Sequence, residues 1–103
     1  MDLNYLSKIA YEITKKRHDN GARIDLDTRS ILKHTATEVV EAAEAYNSMV
    51  DGVANMDIFS SELADIIICV LGISGKENID IEKAILDGME KNRKRAEKIG
   101  DKL

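Results

Sequence analysis

The chain has 103 residues and a mass of 11.5 kDa, a length that predicts a single domain over residues 1–103. Its 15 Lys and Arg against 19 Asp and Glu give a net charge of −4, which argues against general nucleic-acid binding because that affinity comes from neutralising phosphates. The absence of proline and an aromatic content of 4% argue against an all-β fold.

Targeting and redox signals indicate a cytoplasmic protein. The chain has one cysteine, which cannot form an internal disulfide and so suggests a reducing compartment. The first ten residues lack the basic region and apolar stretch of a signal peptide. The longest apolar run, Ile66–Ile73, is too short to span a bilayer, so no membrane partner is expected.

Hydrophobic periodicity predicts four helices. In chain order they cover Asp2 to about Arg17, Asp27 to about Met49, about Asp57 to Ser74, and Asp80 to near Gly100. Stop signals follow the first three, at Asn20-Gly21, Asp51-Gly52 and Gly75. Short loops favour antiparallel packing of consecutive helices, so the predicted fold class is an all-α, four-helix, bundle-like domain.

The third predicted helix carries carboxylates where apolar side chains are expected. At about 100° per residue, Glu62 falls inside the apolar sector near Ile66 and Ile73, and Asp65 lies on the edge of that sector. Desolvating a carboxylate costs several kcal/mol unless something compensates. These two side chains are therefore expected to be protonated, paired with basic groups or bound to a cation.

The second predicted helix offers a matching pair, Glu38 and Glu41, whose Cβ atoms lie about 5–6 Å apart on one helical surface. If the second and third helices pack antiparallel, four carboxylates converge. Such a set of hard oxygen ligands suits Mg²⁺ or Mn²⁺ better than zinc. The alternative is that each pair simply belongs to a solvated helical face, where acids at this spacing are common.

The fourth predicted helix has a polar residue, Asn92, within its apolar stripe. The stripe comprises Ile81, Ile85, Met89, Ala96 and Ile99. A buried amide needs hydrogen-bond partners, and Lys91 and Arg95 lie beside it. An ammonium, a guanidinium and an amide together can bind phosphate, although basic residues near a helix C-terminus also complement its dipole.

Basic residues elsewhere are less specific. His34 lies one turn before Glu38 and could contact a substrate, the alternative being an exposed helical histidine. Arg17 suits the negative end of the first helix dipole. Arg23 and Arg29 follow that helix and could face a nucleotide, but a solvated role is the default.

The order of these motifs resembles that of the MazG-like nucleoside triphosphate pyrophosphohydrolases, in the all-α NTP pyrophosphatase superfamily. The motifs are Glu38-Val-Val-Glu41, Glu62-Leu-Ala-Asp65 and Lys91-Asn92-Arg93-Lys94-Arg95. The resemblance runs from about Leu32 to Ala96. It implies a hydrolase acting on acid anhydrides, which converts an NTP or dNTP to the monophosphate and pyrophosphate with Mg²⁺.

The resemblance also implies roles for individual residues. Its metal-binding acids match Glu38, Glu41, Glu62 and Asp65, and its phosphate contacts match Lys91, Asn92 and Arg95. We expect Glu41 to be the catalytic general base. Family members are dimers or tetramers with sites at subunit contacts, so a homodimer or homotetramer is expected. Thr37 stands where the family often has a further acid, which leaves the number of metal ions open.

Three other functions compete with pyrophosphohydrolysis. A non-catalytic helical oligomerisation or interaction module would use the acids as a structural cluster and bind no Mg²⁺. A metal-dependent phosphatase of another kind would release orthophosphate. A small DNA-binding regulator would use the basic fourth helix and bind DNA with a steep salt dependence, against the overall acidity of the chain.

Overall fold

The structure, a computed structural model, describes residues 1–98 and contains four α-helices and no strand in that range. The helices are α1 (Leu3–Asp19), α2 (Thr28–Val50), α3 (Met56–Lys76) and α4 (Ile81–Ala96). The predicted all-α, four-helix class is confirmed. Ile99 and Gly100, which were predicted to belong to the end of the last helix, lie outside the described residues.

Short polar side chains begin three of the helices. Asp2, Asn55 and Asp80 each accept a hydrogen bond from the backbone N–H three residues further on, at 3.0 to 3.1 Å. These bonds satisfy one of the N–H groups that a helix start leaves without a partner. Asp27 occupies the corresponding position before α2, as predicted, but its side chain makes no capping bond.

The predicted end of the third helix is wrong, because α3 continues through Gly75 to Lys76. Gly75 is a packing residue: a Cβ there would overlap the carbonyl oxygen of Ser7 and lie 2.7 Å from its carbonyl carbon. Ser7 and Ser74 are buried at this contact, where their hydroxyls bond to carbonyls of their own helices at 2.9 Å. Small side chains therefore let α1 and α3 approach closely.

Helix α3 lies at the centre of the fold, packed against α1 on one side and α2 on the other. Helix α4 packs mainly against α1 and makes no comparable contact with α2 or α3 within residues 1–98. Asn4 holds this junction, since its amide donates to Asp80 at 2.8 Å and accepts from the Glu82 N–H at 3.2 Å. The expectation that consecutive helices pack together thus holds for α2 and α3 but not for α3 and α4.

The apolar core of the described chain is small. Ala42 and Leu71 are its only buried hydrophobic residues. The accessible surface is 7858 Å², whereas a monomer of this mass typically exposes about 5,800 Å². The radius of gyration is 16.5 Å, against about 13 Å for a compact chain of this length. The large exposed apolar side chains include Val39, Val40, Ile67, Ile68, Leu86 and Met89.

By length and composition alone, α3 is the one helix within residues 1–98 that could cross a membrane, with a mean hydropathy of 1.7. The longest uninterrupted apolar run, Ile66–Ile73, therefore understates how apolar α3 is over its whole length. Glu62 and Asp65 interrupt this helix, and a carboxylate at the centre of a bilayer costs about 2.5–3.5 kcal/mol. We therefore favour protein, rather than lipid, as the cover for the apolar surface of α3.

The tight contact between α1 and α3 predicts opposite effects for two glycine substitutions. We expect Gly75→Ala to lower the free energy of unfolding by about 1–3 kcal/mol, because the new methyl group displaces the Ser7 backbone. Gly88→Ala in α4 is the control, since its Cβ would enter open space. That variant should gain about 0.5–1 kcal/mol from helix propensity. Urea denaturation followed by circular dichroism measures both, and equal stability of the two variants would contradict the packing role of Gly75.

Candidate metal centre

Three glutamates of α2 and α3 form an acidic cluster. Each of Glu38, Glu41 and Glu62 places a carboxylate oxygen within 4.8 Å of the corresponding oxygens of the other two. Glu38 is only 9% exposed and lies one turn before the buried Ala42, on the face of α2 that packs against α3. Glu62 is half-buried and Glu41 is exposed. The two helices therefore gather like charges at their contact.

Two oxygens of the acidic cluster have no partner. Glu38 Oε2 and Glu62 Oε2 are buried without a hydrogen-bond donor among the described residues. The other oxygen of Glu38 is better placed, because Oε1 lies 3.0 Å from Nε2 of His34. Buried polar atoms in proteins almost always have partners. The two orphaned oxygens thus fit the hard oxygen ligation that Mg²⁺ or Mn²⁺ requires.

The pKa of Glu38 is raised above its ordinary value. Burial is the main cause, and the negative charge of Glu41 adds to it, while His34 opposes the shift. Asp65 and Glu62 contribute smaller effects in the same upward direction. Because burial and the neighbouring carboxylates disfavour the ionised form, Glu38 binds a proton more readily than an ordinary glutamate does, and a divalent cation would compete with that proton for the same oxygens.

Asp65 lies beside the acidic cluster rather than within the set of three. Its side chain is exposed and lines a cavity that Glu38 also lines. The structure therefore brings together three of the four acids predicted to bind metal and places the fourth nearby. Metal binding by each of them stays a prediction.

A cavity of about 570 Å³ adjoins the acidic cluster and is bounded by α1, α2, α3 and the loop between α1 and α2. His34, which was predicted to contact substrate, lines it together with Glu38 and Asp65. Arg17 and Arg23 also line it. Helical spacing did not indicate that Arg17 lines a cavity, and Arg23 lies in the loop after the helix. Only the tertiary fold reveals that both arginines share a cavity with the acids.

The predicted phosphate contacts lie elsewhere in the chain. Lys91, Asn92 and Arg95 are exposed on α4, and none of them lines the cavity. The expectation that Asn92 is a buried amide is wrong for the single chain. The apolar stripe around it is open, with Ile85 40% and Met89 63% exposed, because α4 packs mainly against α1. The phosphate-binding role of the three residues stays a prediction.

Fold and acidic cluster together define a small helical domain with a carboxylate centre suited to a divalent cation. A family model for the MazG nucleotide pyrophosphohydrolase domain matches residues 26–100, well over half of the chain. The chain therefore belongs to the MazG nucleotide pyrophosphohydrolase domain family, as its motifs predicted. Neither the curated proteins nor the solved structures gave a match to this chain.

The raised pKa of Glu38 predicts a stability cost in the absence of metal. A raised pKa in the folded state stabilises the protein below the ordinary glutamate pKa, and this contribution is lost as pH rises through the raised value. We expect Glu38→Gln to be more stable than the unsubstituted protein at neutral pH by about 1 kcal/mol in EDTA, since it removes a buried charge whose Oε2 atom has no partner among the described residues.

The difference in stability should shrink on acidification to about pH 4, where Glu38 is protonated. Thermal unfolding at several pH values gives the difference between the two proteins, and Glu12→Gln, on the exposed surface of α1, is the control. A Glu38→Gln variant that is less stable at every pH would contradict this prediction.

Proposed function

We propose that the protein is a Mg²⁺-dependent nucleoside triphosphate pyrophosphohydrolase, which hydrolyses an NTP or dNTP to the monophosphate and pyrophosphate. Family membership supports the reaction class. The observation that carries the proposal is the pair of buried, unpartnered oxygens on Glu38 and Glu62. We place the reaction in the cytoplasm, where it would control nucleotide pools or remove modified nucleotides.

The metal would be held by Glu38, Glu41, Glu62 and Asp65, with Mn²⁺ as an alternative to Mg²⁺. The three residues of the acidic cluster supply only oxygen ligands, the donors that both ions prefer. A bound Mg²⁺ neutralises phosphate charge and lowers the pKa of a coordinated water.

Glu41 is the member of the acidic cluster with the most accessible carboxylate, so we assign it the role of general base. It accepts a proton from the attacking water, whose oxygen bonds to phosphorus as the anhydride bond between the α and β phosphates breaks. The bond pair leaves with the pyrophosphate. Lys91 and Arg95 would stabilise the charge that develops there, and positioning and electrostatics would supply most of the rate.

The active protein is, in this proposal, a homodimer or homotetramer in which α4 of one chain completes the site of another. The cations of α4 lie outside the cavity beside the acidic cluster of their own chain, and Lys91 and Arg95 line a separate surface cavity on α4. The accessible surface exceeds that of a typical monomer by about 2,000 Å², an amount in the range of large subunit interfaces. A partner that covers the open stripe of α4 would bury Ile85 and Met89 and bring Lys91 towards a second acidic cluster.

The direct experiment offers the protein a panel of canonical and modified NTPs and dNTPs with Mg²⁺ and separates the products by chromatography. Monophosphate together with pyrophosphate supports the proposal. Diphosphate together with orthophosphate would favour the phosphatase alternative. No turnover and no heat of Mg²⁺ binding in calorimetry would favour the non-catalytic interaction module.

Removing one carboxylate should abolish turnover without unfolding the protein. We expect Glu62→Gln and Asp65→Asn each to lower kcat by about 100-fold or more, because charge stabilisation in the transition state is lost. Circular dichroism should show unchanged helix content. Glu12→Gln is the matched control and should retain full activity. Near-normal kcat in both the Glu62→Gln and the Asp65→Asn variants would remove the assignment of the metal site.

Mixing two inactive variants tests whether α4 acts on a second chain. Asp65→Asn disables the metal centre, and the double variant Lys91→Ala with Arg95→Ala disables the phosphate contacts. If sites form between chains of a symmetric dimer, subunit exchange should restore about one quarter of the unsubstituted activity. A mixture that stays inactive, although mass spectrometry shows mixed dimers, would place α4 in the site of its own chain.

A further inference from the structure

Two arginines share a cavity with acidic residues of the candidate metal centre. Arg17 lies near the end of α1 and Arg23 in the loop that follows, and both line the cavity along with Glu38 and Asp65. Residues 26–100 match the family model, so both arginines precede the matched region. The cavity volume, about 570 Å³, is typical of sites for small molecules, which range over about 300–1,000 Å³.

Neither arginine is neutralised by the described part of the chain. Within residues 1–98, the ion pairs do not include Arg17 or Arg23. Asp25 also lines the cavity, but its oxygens accept hydrogen bonds from the Asp27 N–H at 2.9 Å and the Ser30 hydroxyl at 2.8 Å. Two arginines that form no ion pair among the described residues therefore line the cavity.

These charges, together with the acidic residues Asp25, Glu38 and Asp65 of the same cavity, point to a ligand that carries both a cation and anionic groups rather than to a neutral one. A guanidinium binds phosphate through two parallel hydrogen bonds, a geometry that a lysine ammonium lacks. The carboxylates of Glu38 and Asp65 would repel a bare anion, but a metal-bound polyphosphate presents a cation to them and anionic oxygens to the arginines. A nucleobase offers acceptors without net charge and so leaves both guanidinium charges uncompensated.

We infer that Arg17 and Arg23 bind the triphosphate of the nucleotide within the same chain as the acidic cluster. This inference rests on the proposed function, and it adds a phosphate contact that is independent of Lys91 and Arg95 on α4. The two sets have distinct tasks. The arginines of the cavity belong to the chain that supplies the metal ligands, whereas α4 supplies contacts to a neighbouring chain.

The test uses inorganic tripolyphosphate with Mn²⁺ as the probe, measured by calorimetry on the full chain. We expect the double variant Arg17→Gln with Arg23→Gln to raise the Kd of this probe by about tenfold or more, which corresponds to about 1.4 kcal/mol. Affinity for Mn²⁺ alone should not weaken, because the acidic cluster is intact. The double variant Arg17→Lys with Arg23→Lys should recover only part of the loss, since lysine restores the charge without the planar pair of donors.

The matched control is Lys8→Gln combined with Arg93→Gln, which removes the same number of charges. Both residues are exposed and neither lines the cavity. Its Kd should stay within about twofold of the unsubstituted value, as expected for distant surface charges. An equal loss in the control would show that net charge, and not the cavity, binds the probe, and the inference would fall.

Other outcomes separate the inference from the proposed function. Suppose that the unsubstituted protein hydrolyses NTPs, and that the variant Arg17→Gln with Arg23→Gln has the same KM for the NTP and the same Kd for the tripolyphosphate probe. The inference alone is then wrong. If no NTP is hydrolysed but the probe binds in a manner that depends on Arg17 and Arg23, the reaction is wrong and the anion site stands. An unsubstituted protein that does not bind the probe would overturn the inference directly.

Discussion

The repulsion between carboxylates at the contact of α2 and α3 is the constraint on which the rest of the structure depends. Glu38 and Glu62 each bury an oxygen that lacks a donor among the described residues, and Glu41 adds a third negative charge within 4.8 Å. Uncompensated buried acceptors each cost about 1–3 kcal/mol. A fold that holds such groups together gives up stability in its metal-free state, and in the proposed function a divalent cation offsets this cost. The packing of α2 against α3 thus holds these carboxylates in place although their charges repel one another.

Packing that holds like charges together requires apolar contacts around them, which α3 provides. One side of this helix carries small residues against α1, with Gly75 against the Ser7 backbone, while another side presents Glu62 to α2. Much of the remaining surface is apolar and open, as at Ile67 and Ile68. The same helix therefore positions the acids, holds the small core and presents a surface for further burial. In the proposed function, assembly and catalysis are coupled for this reason: a subunit that covers α3 would stabilise the helix that carries Glu62, one of the three residues of the acidic cluster.

Local periodicity accounts for the features that the sequence predicts well. The four helices, the caps at Asp2 and Asp80 and the position of Glu62 in an apolar sector all depend on neighbours within a few residues. Features set by distant contacts could not be predicted. Gly75 was expected to be a stop signal because nothing near it in sequence shows that Ser7 approaches it. Loop length likewise did not reveal that α4 packs on α1, because a short loop limits where a helix begins but not where it points.

Arg17 and Arg23 are a second example of positions that depend on distant contacts and could not be predicted from the sequence. Arg17 complements the dipole of α1 and Arg23 lies in a loop, so the position of each residue has a local explanation. Only the cavity that both residues line relates them to Glu38. Opposite charges that paired directly would cancel and leave little to bind a ligand. Here they line one cavity without an ion pair between them among the described residues. The carboxylates disfavour a free phosphate anion and the guanidinium groups disfavour a free cation. A metal ion and a polyphosphate that entered together would satisfy both sets, so in the proposed site the charge separation itself would select for the metal-bound nucleotide over either component alone.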